Sequence, residues 1–261
     1  MMVGMRDVLG AARSAYFEGD ATALAALFGD GVRVDDPRAG RIDGKPAVAG
    51  WALESAAWFA ERGAHLTQVA STASVQRIVG EFDVELAASG QTLTLPIALV
   101  VEPRASGRRG WLRIYHSNWP LIGRHLIRTP LLPRDPTVGE SDVVADYQAA
   151  LAAGDVARIV ATFEPDGCFR EPAGPQYRVC GTAALTDLFE RFFAAGAGIA
   201  LEHCTVTDDD VRTALEFNAV RWGTTDMPPQ AGIAVYERGP TGRLAHARIY
   251  DDVDPPLDAN S

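Results

Sequence analysis

The stretch YQAALAAGDVARIVATFEPDGCFREPAGPQYRVCGTAA (residues 147–184) decides how this chain is organised, because its pattern occurs twice. Gly154-Asp155 matches Gly19-Asp20, 135 residues earlier, and Glu171-Pro172 matches Asp36-Pro37 at the same offset. The other matching pairs, in chain order, are Phe28 with Phe163, Gly44 with Gly181, Ala47 with Ala184, Leu66 with Leu201, Phe82 with Phe217, Arg113-Ile114-Tyr115 with Arg248-Ile249-Tyr250, and Pro120 with Pro255. A period this long indicates a duplicated domain and not a solenoid unit.

The duplication sets the expected domain boundaries. We predict one domain at 1–122 and a second at 140–261, joined by the segment 123–139. This segment contains three prolines and no helical or strand period, as in a linker. Its three arginines would either dock on the second domain, which holds 9 basic and 20 acidic residues, or remain solvated. The sequence leaves both interpretations open.

Each copy has the same predicted plan of helices followed by strands. We expect helices at 8–17, 22–28 and 45–62 in the first copy, and at 143–152, 156–163 and 182–195 in the second. Alternating β-branched patterns predict strands at 32–34, 66–70, 75–86, 92–101 and 110–116, and at 168–170, 199–206, 211–222, 232–237 and 244–251. This order is typical of an α+β domain. A curved sheet folded over the helices would enclose an apolar pocket.

Composition excludes several classes of protein. The 261 residues are 47% hydrophobic and 22% charged, which is ordinary for a globular chain and excludes disorder. A net charge of −10 argues against a nucleic-acid or anionic-membrane partner. Residues 1–7 lack the apolar core of a signal peptide, and the longest apolar run, 93–101, is too short to span a membrane. We therefore expect a cytoplasmic protein.

The sequence predicts neither a metal site nor a cofactor. Cys168, Cys180 and Cys204 form no C-x-x-C pair and leave one cysteine over in any pairing. This pattern favours a reducing compartment over a disulfide framework or a zinc site. The histidines have no metal-ligand spacing, and no phosphate loop or Gly-rich dinucleotide fingerprint is present.

The repeated pattern also resembles a known group of proteins. Tyr147, Gly154-Asp155, Phe169-Arg170-Glu171-Pro172 and Gly181-Thr182-Ala183-Ala184 together resemble the opening of ketosteroid isomerase and of SnoaL-type polyketide cyclases, in the nuclear-transport-factor-2-like superfamily. The resemblance covers nearly all of both copies and implies two tandem cone-shaped α+β barrel domains. Because single-domain relatives generally dimerise, it further implies an intrachain pseudo-dimer that is a monomer in solution.

The resemblance implies a base and an oxyanion donor. In the isomerase, the carboxylate before the proline is the general base, and Glu171 and Asp36 occupy that position in the two copies. Tyr147 matches the tyrosine that binds the oxyanion, whereas the first copy has Ala12 there. As an alternative, either carboxylate is a turn or cap residue beside a proline, and Tyr147 is a core aromatic with its hydroxyl at the rim.

Late-strand residues complete the candidate site. In the isomerase, a protonated aspartate with a raised pKa completes the oxyanion hole. This aspartate is missing from both copies, where Ala98 and approximately Gly232 stand instead. SnoaL-type cyclases use an acid/base side chain near the end of the last strand, and His116 and Asp251 are the nearest matches. A histidine at a strand end is also commonly an ordinary surface or core residue.

These observations predict a cofactor-independent acid/base enzyme that acts on a small, largely apolar carbonyl compound such as a polyketide- or steroid-like molecule. Isomerisation, cyclisation and dehydration all remain open. Glu171 with Tyr147, and Asp36 with His116, are the proposed groups, with Asp251 as a further candidate. The alternative is a non-catalytic small-molecule-binding or scaffold protein of the same fold. A cavity filled by bulky side chains favours the scaffold; an open cavity with convergent polar groups favours the enzyme.

Overall fold

The computed structural model describes residues 4–88, 90–103, 110–140, 142–194 and 196–255. The chain divides into two compact units, Met1–His116 and Ser117–Ser261. The first unit ends before residue 122, the expected end of the first domain, and the expected boundaries remain a prediction. Each unit combines helices with one six-stranded mixed sheet, so the α+β class and the two-domain organisation are confirmed. The intrachain pseudo-dimer remains a prediction.

The first unit begins with helices α1 (Met5–Arg13), α2 (Thr22–Phe28) and α3 (Lys45–Ala60), with a π-helical turn at Ser14–Glu18. Its strands are β1 (Arg33–Asp36), β2 (Gly40–Asp43), β3 (His65–Ala73), β4 (Ile78–Ala88), β5 (Gln91–Glu102) and β6 (Trp111–Tyr115). They form a sheet in the order β2-β1-β6-β5-β4-β3. β1 and β6 are parallel and the other neighbours are antiparallel.

The second unit repeats this topology. It contains helices α4 (Trp119–Ile122), α5 (Asp142–Ala153), α6 (Val156–Ala161) and α7 (Thr182–Phe192). Its strands are β7 (Phe163–Arg170), β8 (Arg178–Cys180), β9 (Ile199–Asp208), β10 (Arg212–Trp222), β11 (Thr225–Arg238) and β12 (Leu244–Asp251). The sheet order is β8-β7-β12-β11-β10-β9, with β7 and β12 parallel.

Strand register supports the duplication residue by residue. Phe82 pairs with Ile97 across β4 and β5, and Phe217 pairs with Gly232 across β10 and β11. Both members of the second pair lie 135 positions after those of the first, the offset seen in the sequence. Because register determines which face each side chain occupies, positions at this offset are structural counterparts.

Local sequence explains the turn between α5 and α6 of the second unit. Gly154 ends α5 with a φ of +69°, and a Cβ on it would lie 2.8 Å from the backbone of Ala197. The adjacent Asp155 caps α6 by accepting a hydrogen bond from the Arg158 amide at 3.0 Å. Glycine and aspartate at these two positions therefore fix the turn that directs α6 toward β7.

One helix end, two short strands and a disulfide are among the details that differ from the sequence-based expectations. The helix predicted to continue to Phe163 ends at Ala161, and Phe163 begins β7. The short strands β2 and β8 were not predicted, because each has only three or four residues between turns. Pairing of β7 with β8 aligns Cys168 with Cys180, and the two form a disulfide, which corrects the expectation of unpaired cysteines.

The segment predicted to link the domains packs on the second unit. The amide of Asp135 donates to the His203 carbonyl at 2.9 Å, and the amide of Ala231 donates to the Arg128 carbonyl at 2.8 Å. No helix in the described ranges is long and apolar enough to cross a membrane. Within those ranges, no group of three or more His, Cys, Asp or Glu side chains is arranged to hold a metal ion.

Candidate functional site

The second unit contains a cavity of about 660 Å³ between its helices and its sheet. Helices α5 and α7, the end of β7 and strands β9 to β12 all contribute side chains, and most of these are apolar. The aromatic lining residues are Trp119, Tyr147, Phe169, Tyr177, Phe189, Phe192, Phe217, Trp222 and Tyr236. Such walls favour a largely apolar ligand and raise the free-energy cost of any charge that faces the cavity.

Glu171 brings a carboxylate to this cavity. It directly follows β7 and opens the loop that leads to β8, where Pro172 and Ala173 also line the cavity. Burial raises the pKa of Glu171, and the positive charge of Arg191 opposes this effect. A desolvated carboxylate with a raised pKa is a stronger base than one in water, so Glu171 has the properties of a general base.

Asp251 brings a second carboxylate from the end of β12. It pairs with Gly232 of β11, and a Cβ on Gly232 would lie only 2.8 Å from the Asp251 Cβ and 2.7 Å from the Phe217 ring. Glycine therefore leaves the space that Asp251 and Phe217 occupy. Burial raises the pKa of Asp251 to about 7, helped by the negative charges of Asp252 and Glu171. Asp251 thus holds or releases a proton near neutral pH.

Two of the phenols that line this cavity are buried and lie close together. Tyr147 on α5 and Tyr236 on β11 have ring centroids 5.2 Å apart, and burial raises the pKa of both hydroxyls, so both remain protonated donors. The side-chain amide of Gln148 donates to the Tyr236 hydroxyl at 2.7 Å, which leaves the phenolic proton available. Tyr236 was not predicted. It lies on the same face of β11 as Gly232, because side chains two and four positions apart share a strand face.

A histidine that contacts a carboxylate behind it forms another part of the wall. His125 lines the cavity, and its Nδ1 lies 3.0 Å from Oδ1 of Asp252. Its ring stacks on Trp119 with a centroid distance of 5.2 Å. No sequence motif marks this pair, because the two residues lie 127 positions apart and meet only in the folded unit.

The candidate residues of the first unit have different surroundings. Oδ1 of Asp36 accepts hydrogen bonds from the amides of Arg38 (2.6 Å) and Ala39 (3.2 Å), and Oδ2 accepts one from Trp51 Nε1 (3.0 Å). The Asp36 carboxylate is 1% exposed and accepts three hydrogen bonds, as is typical of a side chain that stabilises a turn. A general base would instead have an oxygen available to the substrate. His116 follows β6 and is 2% exposed.

Glu171 has a carboxylate counterpart in the first unit, whereas the counterparts of Tyr147, Tyr236 and Asp251 are of a different kind. At the offset of 135 residues, the counterparts are Ala12 for Tyr147, Asp36 for Glu171, Val101 for Tyr236, His116 for Asp251 and Ile97 for Gly232. Phe82, the counterpart of the lining residue Phe217, packs against Phe17 at a centroid distance of 5.8 Å, and Phe17 packs against Phe59 at 4.8 Å. In the second unit, carboxylates and phenols line one cavity together.

Comparison with known proteins finds a domain-family match within the second unit. The SnoaL-like domain model matches residues 144–247. Tyr147, Glu171 and Tyr236 lie inside the match, whereas His125, Asp251 and Asp252 lie outside it. No curated protein matches the chain.

Several solved structures are similar to part of the chain. A candidate polyketide cyclase from Sinorhizobium meliloti is 20% identical over 42% of this chain and 94% of its own, with a TM-score of 0.36. The epoxide hydrolase/cyclase-like enzyme SalBIII is described for pyran ring formation in the polyether salinomycin. It is 22% identical over 42% of this chain and 87% of its own, with a TM-score of 0.36. An NTF2-like protein of unknown function from Cytophaga hutchinsonii is 14% identical over 44% of this chain and 94% of its own, with a TM-score of 0.35.

Proposed function

We propose that the SnoaL-like domain of the second unit is a cofactor-independent enzyme that moves a proton next to the carbonyl group of a small, largely apolar molecule. One observation carries this proposal: Glu171, Asp251, Tyr147 and Tyr236 all line one apolar cavity, and burial raises the pKa of each of them. Proton abstraction from carbon needs a base and a donor aimed at the developing oxyanion, and these four groups supply both.

The surroundings of the two carboxylates support different roles. The positive charge of Arg191 favours the ionised form of Glu171, so we assign Glu171 as the base that takes the proton from the carbon. The electron pair of the broken C–H bond moves into the carbonyl group, and the phenols of Tyr147 and Tyr236 donate hydrogen bonds to its oxygen. Asp251, with a pKa of about 7, keeps its proton at neutral pH or below and serves as a further donor. Two carboxylates in one site thus take different roles because their surroundings differ.

For the first unit we propose a structural role. Its counterpart of the base, Asp36, is occupied by three hydrogen bonds, and Ala12 and Val101 replace the phenols. Aromatic rings pack against the counterpart of a cavity wall residue, as expected for a scaffold. The non-catalytic interpretation of the sequence therefore applies, in this proposal, to one unit and the catalytic interpretation to the other.

The experiment measures deuterium exchange of the α-protons of 2-tetralone, a small apolar ketone, by proton NMR in D₂O with the full chain. We expect the wild-type protein to accelerate exchange. Glu171→Gln removes the base and should lower the rate by ~10²–10⁴-fold. Tyr147→Phe removes one oxyanion donor and should lower it by ~10²–10³-fold.

Matched variants separate these effects from general damage. Glu190→Gln changes an exposed glutamate on α7, and Tyr16→Phe changes a buried tyrosine of the first unit; both should keep the wild-type rate. Full activity of Glu171→Gln would contradict the assignment of the base. No acceleration by the wild-type protein of exchange in 2-tetralone would contradict the proposed function itself.

A further inference from the structure

Four donors hold the Asp252 carboxylate that contacts His125. Oδ1 accepts from the Ser117 hydroxyl at 2.9 Å and lies 3.0 Å from His125 Nδ1. Oδ2 accepts from the Asn118 side-chain amide at 2.7 Å and from the Leu126 amide at 2.8 Å. Asp252 is 3% exposed, so its position is set by these bonds. A carboxylate held in this way fixes the tautomer and the direction of the imidazole that it contacts.

The imidazole is held so that its second nitrogen is free. With Nδ1–H directed at Asp252 and the ring stacked on Trp119, Nε2 has no hydrogen-bond partner among the residues that the structure describes. The bond to Asp252 raises the pKa of His125, burial opposes this, and the charges of Asp252, Asp254 and Asp251 add to the rise. The protonated ring therefore carries an Nε2–H that can be given to a ligand in the cavity it lines.

We propose that His125 is the acid of the cavity and gives its Nε2 proton to a second oxygen of the substrate, with Asp252 as its positioning residue. This inference rests on the proposed function, because it adds an acid to the base already assigned. A shift of a double bond needs only one group that removes and returns a proton. An acid on a separate wall is needed when an oxygen must also be protonated, so the substrate class is a carbonyl compound with a β-hydroxyl group.

The reaction balances with these groups alone. Glu171 takes the proton of the carbon between the carbonyl and the carbinol, and the electron pair forms the enolate. The carbonyl re-forms as a carbon–carbon double bond appears, the C–O bond of the β-hydroxyl breaks, and its electron pair leaves with the oxygen. His125 Nε2–H protonates that oxygen, which departs as water. Glu171 then holds one extra proton and His125 lacks one, and solvent restores both.

The test follows two reactions of one probe, 4-hydroxy-4-phenylbutan-2-one, with the full chain. Proton NMR measures exchange at the carbon next to the carbonyl, and ultraviolet absorbance measures the conjugated enone formed by dehydration. His125→Gln should lower dehydration by ~10²–10⁴-fold and change exchange by less than about threefold. His203→Gln is the matched control, because His203 Nδ1 also contacts a carboxylate, Glu140 at 2.6 Å, but does not line the cavity. It should leave both rates unchanged.

The positioning role of Asp252 has its own readout. Asp252→Asn removes the negative charge beside Nδ1, so the pKa of His125, measured by NMR titration of its ring protons, should fall and dehydration should fall with it. Exchange without dehydration in the wild-type protein, or equal dehydration by His125→Gln and wild type, would overturn the role of His125 while leaving the proposed function in place. Absence of exchange would instead refute the proposed function, and this inference with it.

Discussion

Asp251→Asn should stabilise the second unit while it removes a titratable group from the cavity. The two side chains have nearly the same shape, and the Asn carbonyl can still accept the hydrogen bond from the Val253 amide, which is 3.3 Å long in the wild-type unit. The change therefore removes mainly the cost of ionising a buried carboxylate. Functional sites commonly retain such costs because the strained or buried group is the reactive one.

The size of the effect follows from the pKa difference. Asp251 ionises at an ordinary 3.8 when unfolded and at about 7 when folded, a gap of roughly three units. Each unit corresponds to 1.36 kcal/mol, so the full difference is about 4 kcal/mol. Between these two values the unfolded chain has lost the proton that the folded chain keeps, so the free energy of unfolding of the wild-type unit falls as the pH rises. Above about pH 7 both states have lost the proton, so the free energy of unfolding falls no further for this reason.

Thermal and urea unfolding at pH 5 and pH 8 measure this directly. We expect the free energy of unfolding of Asp251→Asn to exceed that of the wild-type protein by less than about 2 kcal/mol at pH 5 and by about 4 kcal/mol at pH 8. The melting temperature should rise by roughly 2–4 °C per kcal/mol. Asp187→Asn, at an exposed position on α7, is the control and should show no such pH-dependent gain. An equal difference from wild type at both pH values would refute the buried, high-pKa state of Asp251.

Two further substitutions test the geometry of each unit. Gly232→Ala places a Cβ 2.8 Å from that of Asp251. We therefore expect the free energy of unfolding, measured in urea, to fall by about 1–3 kcal/mol and α-proton exchange to slow. Gly139→Ala is the control and should change neither, because a Cβ there would have nothing within 4 Å. Asp36→Asn turns an amide donor toward Trp51 Nε1, so it should cost ~1–3 kcal/mol of stability without lowering exchange. Loss of exchange in a folded Asp36→Asn protein would assign catalysis to the first unit.

The fold was readable from the sequence because two independent signals agreed. The repeat determined the number of domains, and the alternating patterns determined the order of helices and strands within each. The limits of α2 and β12 are those expected at 22–28 and 244–251. Errors arose where tertiary pairing decides. β8 has three residues and exists because it pairs with β7, and the same pairing aligns the two cysteines of the disulfide.

The candidate site was only partly predictable, since some of its polar residues carry a family pattern and others do not. Tyr147, Glu171 and Asp251 match expected positions and do line one cavity. Tyr236 belongs to no sequence motif. The signal that could have identified it is its position on the same face of β11 as Gly232. His125 and Asp252 come from opposite ends of the unit, so no spacing in the sequence joins them.

One glycine is part of the difference in chemistry between the two units. At Gly232 the absence of a side chain leaves room for the Asp251 carboxylate beside the Phe217 ring. The counterpart in the first unit is Ile97, which is fully buried and has a branched side chain. An acid/base site of the second unit's kind therefore cannot be made in the first unit by changing His116 to aspartate alone, because Ile97 would also have to become small.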